Sequence, residues 1–194
     1  EGEFNVSLPG DYFIKTGLQL NITDNTNNSE TGILPLIPDY RSLQSSAFFI
    51  AQKDKNRIYY EVGVRYDLKN LNVVTITRTL PHEIERFKHV FHNYSFSGGA
   101  KIKLTPHFKT NLNLGYMLRS PEVNELYSFG LHQGVSGIEE GTKSLNTEKA
   151  LKFIWSNDLK IKEKLFFQAL GYFQNIQDYI YLQPQSEYRL TIRG

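Results

Sequence analysis

Long runs of alternating apolar and polar residues constrain this chain more than any other feature. Over residues 12–22, Tyr12, Ile14, Thr16, Leu18, Leu20 and Ile22 oppose Lys15, Gly17, Gln19 and Asn21. Over 58–68, Ile58, Tyr60, Val62, Val64, Tyr66 and Leu68 oppose Glu61, Gly63, Arg65 and Asp67. Residues 90–104, 108–119 and 151–161 repeat the pattern, 42–52 follow it less cleanly, and 165–177 are apolar on both faces in places. A period of two is the mark of a pleated strand with one apolar face. Soluble strands average about five or six residues, whereas a tilted strand that crosses a bilayer needs about 9–11. Several of these runs have the membrane length.

The connections sort by length. Those at 54–56, 105–106 and 162–164 are brief, whereas 23–40, 68–89, 120–147 and 183–187 are longer, the first three much longer. Short and long connections therefore alternate along the chain, so the short ones gather at one end of the sheet and the long ones at the other. Outer-membrane barrels have this arrangement, with tight periplasmic turns and long extracellular loops. A soluble sandwich has no reason to sort its loops. The expected fold is all-β, an antiparallel meander of about eight long strands, the eighth opening at 189–193. Within the second long connection, residues 73–77 read as a strand extension above the membrane.

Composition agrees. Tyr and Phe number 12 and 13 against a single Trp, and aromatics suit half-buried pleats and water–lipid boundaries. Mean hydropathy is negative, as it is in porin-type walls where every second residue faces water. A net charge of +2 without a basic stripe points away from nucleic acid. The absence of cysteine rules out disulfides, thiolate metal sites and cysteine nucleophiles within this sequence. No apolar run reaches the roughly 18 residues of a membrane helix. No Gly-rich phosphate loop, Ser/His/Asp order or carboxylate pair stands out, so no enzyme and no cofactor is expected. The chain starts without a basic and apolar leader and stops in what reads as mid-strand, so a piece of a longer protein is expected.

The third long connection carries a recognisable pattern. Leu118-Arg119-Ser120-Pro121-Glu122-Val123-Asn124-Glu125-Leu126-Tyr127 resembles the Arg-x-Pro-x-x-x-Glu-Leu-Tyr signature of TonB-dependent outer-membrane receptors. Residues 141–149 are a looser counterpart of that family's next element, lacking its Asn-Pro. Gly63-Val64-Arg65-Tyr66-Asp67 is similar to the family's Gly-x-Arg-Tyr-Asp strand end, and 178–182 with 191–194 to a later strand pair. The resemblance implies a Gram-negative outer-membrane barrel of about 22 strands filled by an N-terminal plug. Residues 1–194 would then be a partial barrel lacking the plug and the closing strands. The implied function is import of a scarce nutrient, an iron chelate or other metal complex, driven by TonB through the plug. The implied partners are outer-membrane lipid, that small ligand and TonB. Two other readings stand beside it. One is a self-contained eight-stranded barrel with a structural or adhesive role, and the other is a soluble β-sandwich binding module.

Candidate ligand contacts lie on the long loops: Arg119, Glu125, Tyr127, Phe129, His132, Glu139 and His82. His82 and His132, with Glu83, Glu139 and Glu140, share the outer end and could help hold a metal chelate, although solvated loop residues are the plainer reading. His89 and His92 fall on opposite strand faces and make poor joint ligands. Arg119 can meet an anionic ligand or pair with Glu122 or Glu125 to brace the loop base. Tyr127, Phe129 and Tyr179 can stack on a flat ligand or belong to an interfacial aromatic girdle.

Overall fold

The computed structural model describes residues 2–186 except 33, 78–80, 133, 135, 136 and 163. Its strands are β1 (Gly2–Leu8), β2 (Tyr12–Asn25), β3 (Asp39–Lys55), β4 (Ile58–Ile76), β5 (Ile84–Lys103), β6 (Phe108–Arg119), β7 (Phe129–His132), β8 (Gly137–Glu140), β9 (Glu148–Ile161) and β10 (Leu165–Gln177). One short α-helix among the described residues, α1 (Val123–Tyr127), lies between β6 and β7, and a single 3-10 turn spans Ser29–Thr31 between β2 and β3. Eight strands form one antiparallel sheet in the order β1-β2-β3-β4-β5-β6-β9-β10, and β7 and β8 form a separate hairpin. Among the described residues β1 and β10 are the two edges of the sheet. The all-β meander is therefore as expected, but its first strand is β1, and residues 189–193 lie outside the described residues.

β1 is short yet keeps the same alternation, with Phe4, Val6 and Leu8 against Glu3, Asn5 and Ser7. It pairs only with Tyr12–Leu18 of β2. The tight turns that follow β1, β3, β5 and β9 occupy one end of the sheet, and the longer connections that follow β2, β4 and β6 occupy the other. Asp11, Asn56 and Lys162 adopt positive φ in three of those tight turns, a backbone state that Asn and Asp tolerate better than most residues.

The register separates two chemically distinct faces. One row across the sheet reads Phe4, Thr16, Phe49, Val64, Phe96, Tyr116, Leu151. The residues one position away, Lys15, Ser97 and Lys152 among them, form rows on the opposite side. Burial inverts the soluble pattern. Leu18 is 69% exposed and Phe96 52%, while Ser46, Asp67, Lys69 and Asn93 of the polar face are each under 10%. In water such a continuous apolar face would be far larger than the few hundred Å² monomers tolerate. In a bilayer it is the lipid contact, and the polar face is the barrel interior.

Aromatic residues bound the apolar face at both ends. Toward the short turns one row carries Tyr12, Tyr60 and Trp155, with the Lys53 ammonium 3.7 Å from the centre of the Tyr12 ring. Toward the long loops Tyr66 and Tyr94 pair across β4 and β5 with ring centres 5.7 Å apart, and Tyr66 also hydrogen-bonds His92. Two such girdles mark the water–lipid boundaries of membrane barrels.

The polar face has its own order. Asp67 accepts hydrogen bonds from Gln44, Ser46 and Arg65, and the Arg65 guanidinium reaches on to Gln19. Tyr66 between them points to the other side, so the Arg-Tyr-Asp sequence serves both faces.

The strands run further than their alternation indicates. The expected connection 68–89 shrinks to 77–83, because β4 continues to Ile76 and β5 begins at Ile84. The cause is a change of phase at Lys69. Below it the even residues of β4 are apolar and outward; above it Leu71 and Val73 are apolar and inward, 0% and 1% exposed. Phe87 and Phe91 of β5 pack inward with them. The strand does not break there. Its hydrophobic side changes.

Candidate functional site

What those inward apolar residues pack against is the loop between β6 and β9. Leu71 and Val73 cluster with Val123, Leu126 and Tyr127 of α1, and Tyr40, Phe87, Phe91 and Leu145 close the rim. This is the apolar core of the described residues. It sits inside the wall at the long-loop end and ties the loop down onto β4 and β5.

The local sequence explains the geometry. Pro121 disfavours helical backbone at Ser120, so β6 ends and the chain turns before α1 starts. Glu125 accepts the Glu122 backbone N–H at 2.8 Å, satisfying one amide of the helix start. Arg119 Nη1 meets both carboxylate oxygens of Glu125 at 3.1 and 3.0 Å, and its Nη2 donates to Glu148 of β9 at 3.3 Å. Glu148 in turn accepts the Ile180 N–H at 3.1 Å, which anchors the segment after β10. Lys69, at the point where the strand changes phase, donates from Nζ to Glu122 at 2.8 Å. Its side chain is only 6% exposed while that of Glu122 is 58%, so the pair is wet on one side.

Tyr127 is buried against Phe87, with ring centres 5.1 Å apart, and its hydroxyl bonds His89. Burial, and behind it the negative charge of Glu85, raises the Tyr127 phenol above its ordinary value. Lys143 caps this cluster, 4.2 Å from the Phe87 ring centre and 3.0 Å from Glu85. Gly141 donates to Ser128 O at 2.8 Å and Thr142 to Glu125 O at 2.9 Å, closing the far side of the loop on α1. The first long loop joins in, since Leu36 O accepts the Phe129 N–H at 2.9 Å.

The seven loop candidates separate into two groups. Arg119, Glu125 and Tyr127 sit inside the brace, occupied by one another and by the wall. Phe129, His132 and Glu139 lie on the β7–β8 hairpin, half-buried, with His132 Nδ1 2.9 Å from Glu139 Oε2. His82 is exposed on the 77–83 connection, its Nδ1 2.9 Å from Thr77 O. Among the described residues no group of three His, Asp or Glu side chains is placed to hold a metal ion. His89 and His92 do face opposite sides, His89 toward Tyr127 and His92 toward Tyr66. Tyr179 and Tyr181 lie beyond β10, stacked at 5.9 Å.

Lys69, His89, Glu148 and Gly141 were not singled out as site residues from sequence. A phase change of apolar residues at Lys69, opposite an apolar Val-x-x-Leu-Tyr stretch, is the signal that connects β4 to α1.

An antiparallel wall, apolar outside and polar inside, with extended loops braced at one end, defines a transmembrane β-barrel of the outer-membrane receptor class. The chain belongs to the family described as TonB dependent receptor-like, beta-barrel, whose model matches residues 2–192. Proteins of that family are receptors and transporters of the Gram-negative outer membrane. A search of curated proteins found none that matches this chain.

Proposed function

We propose that residues 1–194 are a stretch of wall from a larger barrel that imports a small iron chelate or other metal complex. The rest of the protein supplies the plug, the contact with TonB and the closing strands. The observation that carries the reading is the division of labour within the 120–147 loop. Its base is fastened inside the wall by Arg119, Glu125 and Tyr127, and its hairpin is held out at the mouth. Phe129, His132 and Glu139, with His82 on the adjacent connection, are the side chains we assign to the ligand. An aromatic ring, imidazoles and a carboxylate suit a flat or metal-bearing compound. Arg119 and Glu125 act on the ligand only by holding the hairpin in place.

Uptake measurements test this. A strain lacking the receptor, supplied with the complete gene, is offered radiolabelled ferric chelates and cobalamin, with TonB present or deleted. One metal complex should be restored to uptake, and deletion of TonB should abolish it. The double change His82→Ala and His132→Ala should raise the half-saturating concentration about tenfold, the loss expected for two ligand hydrogen bonds. Restored uptake of a metal-free nutrient alone, or uptake indifferent to TonB, would refute the proposal.

A further inference from the structure

β5 outruns the strand beside it. β4 and β5 pair without a break from Ile58 and Ile102 to Ile76 and Ile84, whereas β6 pairs with β5 only from Ser95 to Lys103. Beyond Arg119, Pro121 has no N–H to give to a ladder, and the chain turns inward to α1. β9 begins at Glu148, in register with Arg119, so it rises no higher. The stretch of β5 from Ile84 to Val90 is therefore a third edge of the sheet among the described residues, above a notch in the wall. Val90, its lowest residue, lies about 10 Å above the girdle residue Tyr94 along the membrane normal, at about 3.4 Å per residue and a tilt of about 40°. The edge stands above the acyl chains.

The ladder shows which groups are open. Lys103 donates its N–H to Arg57 O at 2.7 Å and Thr77 donates to Glu83 O at 2.8 Å, one at each end of the β4–β5 pair. Hydrogen-bonded pairs alternate along an antiparallel ladder, so the odd residues of β5 turn N–H and C=O to β4 and the even ones turn theirs away. Ile84, Arg86, Lys88 and Val90 thus point backbone donors and acceptors into the notch, and no described residue pairs with them there. Their side chains are exposed on the outward face, in the order apolar, cation, cation, apolar. Neither cation has a carboxylate partner among the described residues, since Asp24 is held by Arg41 at 2.6 Å and Glu85 by Lys143 at 3.0 Å. The inward side is closed, with Phe87 and Phe91 packed on the α1 cluster and His89 bonded to Tyr127.

We propose that this edge of β5 takes up an extended acidic segment of another protein as an added strand. Main-chain hydrogen bonds to Ile84, Arg86, Lys88 and Val90 hold the segment, and its carboxylates opposite Arg86 and Lys88 select it. A second copy of β5 does not fit. Laid antiparallel with its even residues bonded, it sets Lys88 against Lys88, Arg86 against Lys88 or Arg86 against Arg86 in the registers that overlap most. Like charges directly opposite destabilise such a pair. The two cations therefore guard the edge against its own kind while admitting an acidic strand. This surface serves a partner protein whatever cargo the barrel carries.

Hydrogen exchange of the complete receptor in detergent, resolved to single amides, tests it with a synthetic peptide as probe. The peptide alternates threonine with the series valine, glutamate, glutamate, valine, so that its charges can face Arg86 and Lys88. At millimolar peptide the amides of Arg86, Lys88 and Val90 should exchange about tenfold more slowly, as expected for one new hydrogen bond each. Those of Phe87 and His89, already bonded to β4, should not change. The same peptide with lysine for glutamate, or N-methylated at the amides that meet the edge, should give no protection. Arg86→Ala and Lys88→Ala should each weaken the glutamate peptide about threefold, the usual worth of an opposite-charge pair across strands. Arg57→Ala, in a turn at the opposite rim, should leave it unchanged. Protection of the even amides in the receptor alone would show the edge already paired within the protein and overturn the proposal. So would no protection by the glutamate peptide, equal protection by either control peptide, or full binding by the Arg86→Ala/Lys88→Ala double variant.

Discussion

Gly141→Val should release the 120–147 loop from the wall. A Cβ built on Gly141 would lie 2.5 Å from the Tyr127 nitrogen, 2.6 Å from the Leu126 carbonyl carbon and 2.9 Å from Glu125 O. All three are backbone atoms of α1, so no side chain can swing aside to make room. The strand leaving the hairpin must move away, and the Gly141 to Ser128 and Thr142 to Glu125 hydrogen bonds go with it. Overpacking of this kind costs about 3 kcal/mol, roughly a 150-fold rise in local opening. Hydrogen exchange resolved to residues 123–132 reads it directly. Gly134→Ala serves as the control, because its nearest neighbour is the tip of a side chain at 3.5 Å. Equal protection in wild type and Gly141→Val would mean that α1 and the hairpin are not closed on each other.

The second large effect lies at the other side of the helix. Leu126 is 1% exposed and shares the inner cluster with Leu71 of β4, which is fully buried. Leu126→Ala should destabilise the loop by about 3 kcal/mol, the usual loss for a buried leucine whose cavity only partly collapses. The barrel itself should remain, because the strand ladders do not depend on this cluster. Heat-modified electrophoretic mobility should therefore stay normal while exchange at the Leu126 and Ser128 amides accelerates. Those amides donate to Glu122 O and Asn124 O, so they report the helix alone. Leu71→Ala should act on the same amides although it lies on a strand. The double variant should cost less than the sum by about 1 kcal/mol, since one cavity serves both deletions. Strict additivity would place the two residues in separate clusters.

Both predictions concern a loop whose sequence was conspicuous for another reason. The Arg119–Tyr127 stretch shows the family in its primary structure, and Arg119 pairing with Glu125 was among the readings open from sequence. Its attachment to the wall was not legible. Alternation reports which side of a strand is apolar, but it assumes that the apolar side stays the same along the strand. At Lys69 that assumption fails, so the alternation by itself ends the strand at Leu68. The same cause hides the long-loop end of β5, where Phe87 and Phe91 face inward while Tyr94 and Phe96, further along, face lipid. β1 escaped notice because a strand of seven residues gives too short an alternation to stand out from a turn.

The parts that were legible share a physical basis. Every membrane-level row alternates because lipid and the polar interior impose opposite demands on adjacent residues. Turn lengths sort by end because one set of connections only reverses the chain, while the other builds a surface. His89 and His92 could be separated from their spacing alone, since residues an odd number apart in a strand must face opposite sides. Glu148 could not be placed, because its two partners, Arg119 and the Ile180 amide, come together only through β6, β9 and the segment after β10.

The central claim is that the apolar face of this wall is in lipid up to Leu68 and that its phase changes at Lys69. A nitroxide scan along β4 tests it in the complete receptor in bilayers, using single cysteines from Tyr60 to Val74, with any cysteine outside residues 1–194, which hold none, replaced by serine. Labels at the even positions 60–68 should be open to oxygen and closed to a water-soluble nickel complex, and those at 61–67 should not. At 71 and 73 both reagents should be excluded, because α1 covers those residues. Uniform accessibility along the strand, or lipid exposure at the odd positions, would contradict the account.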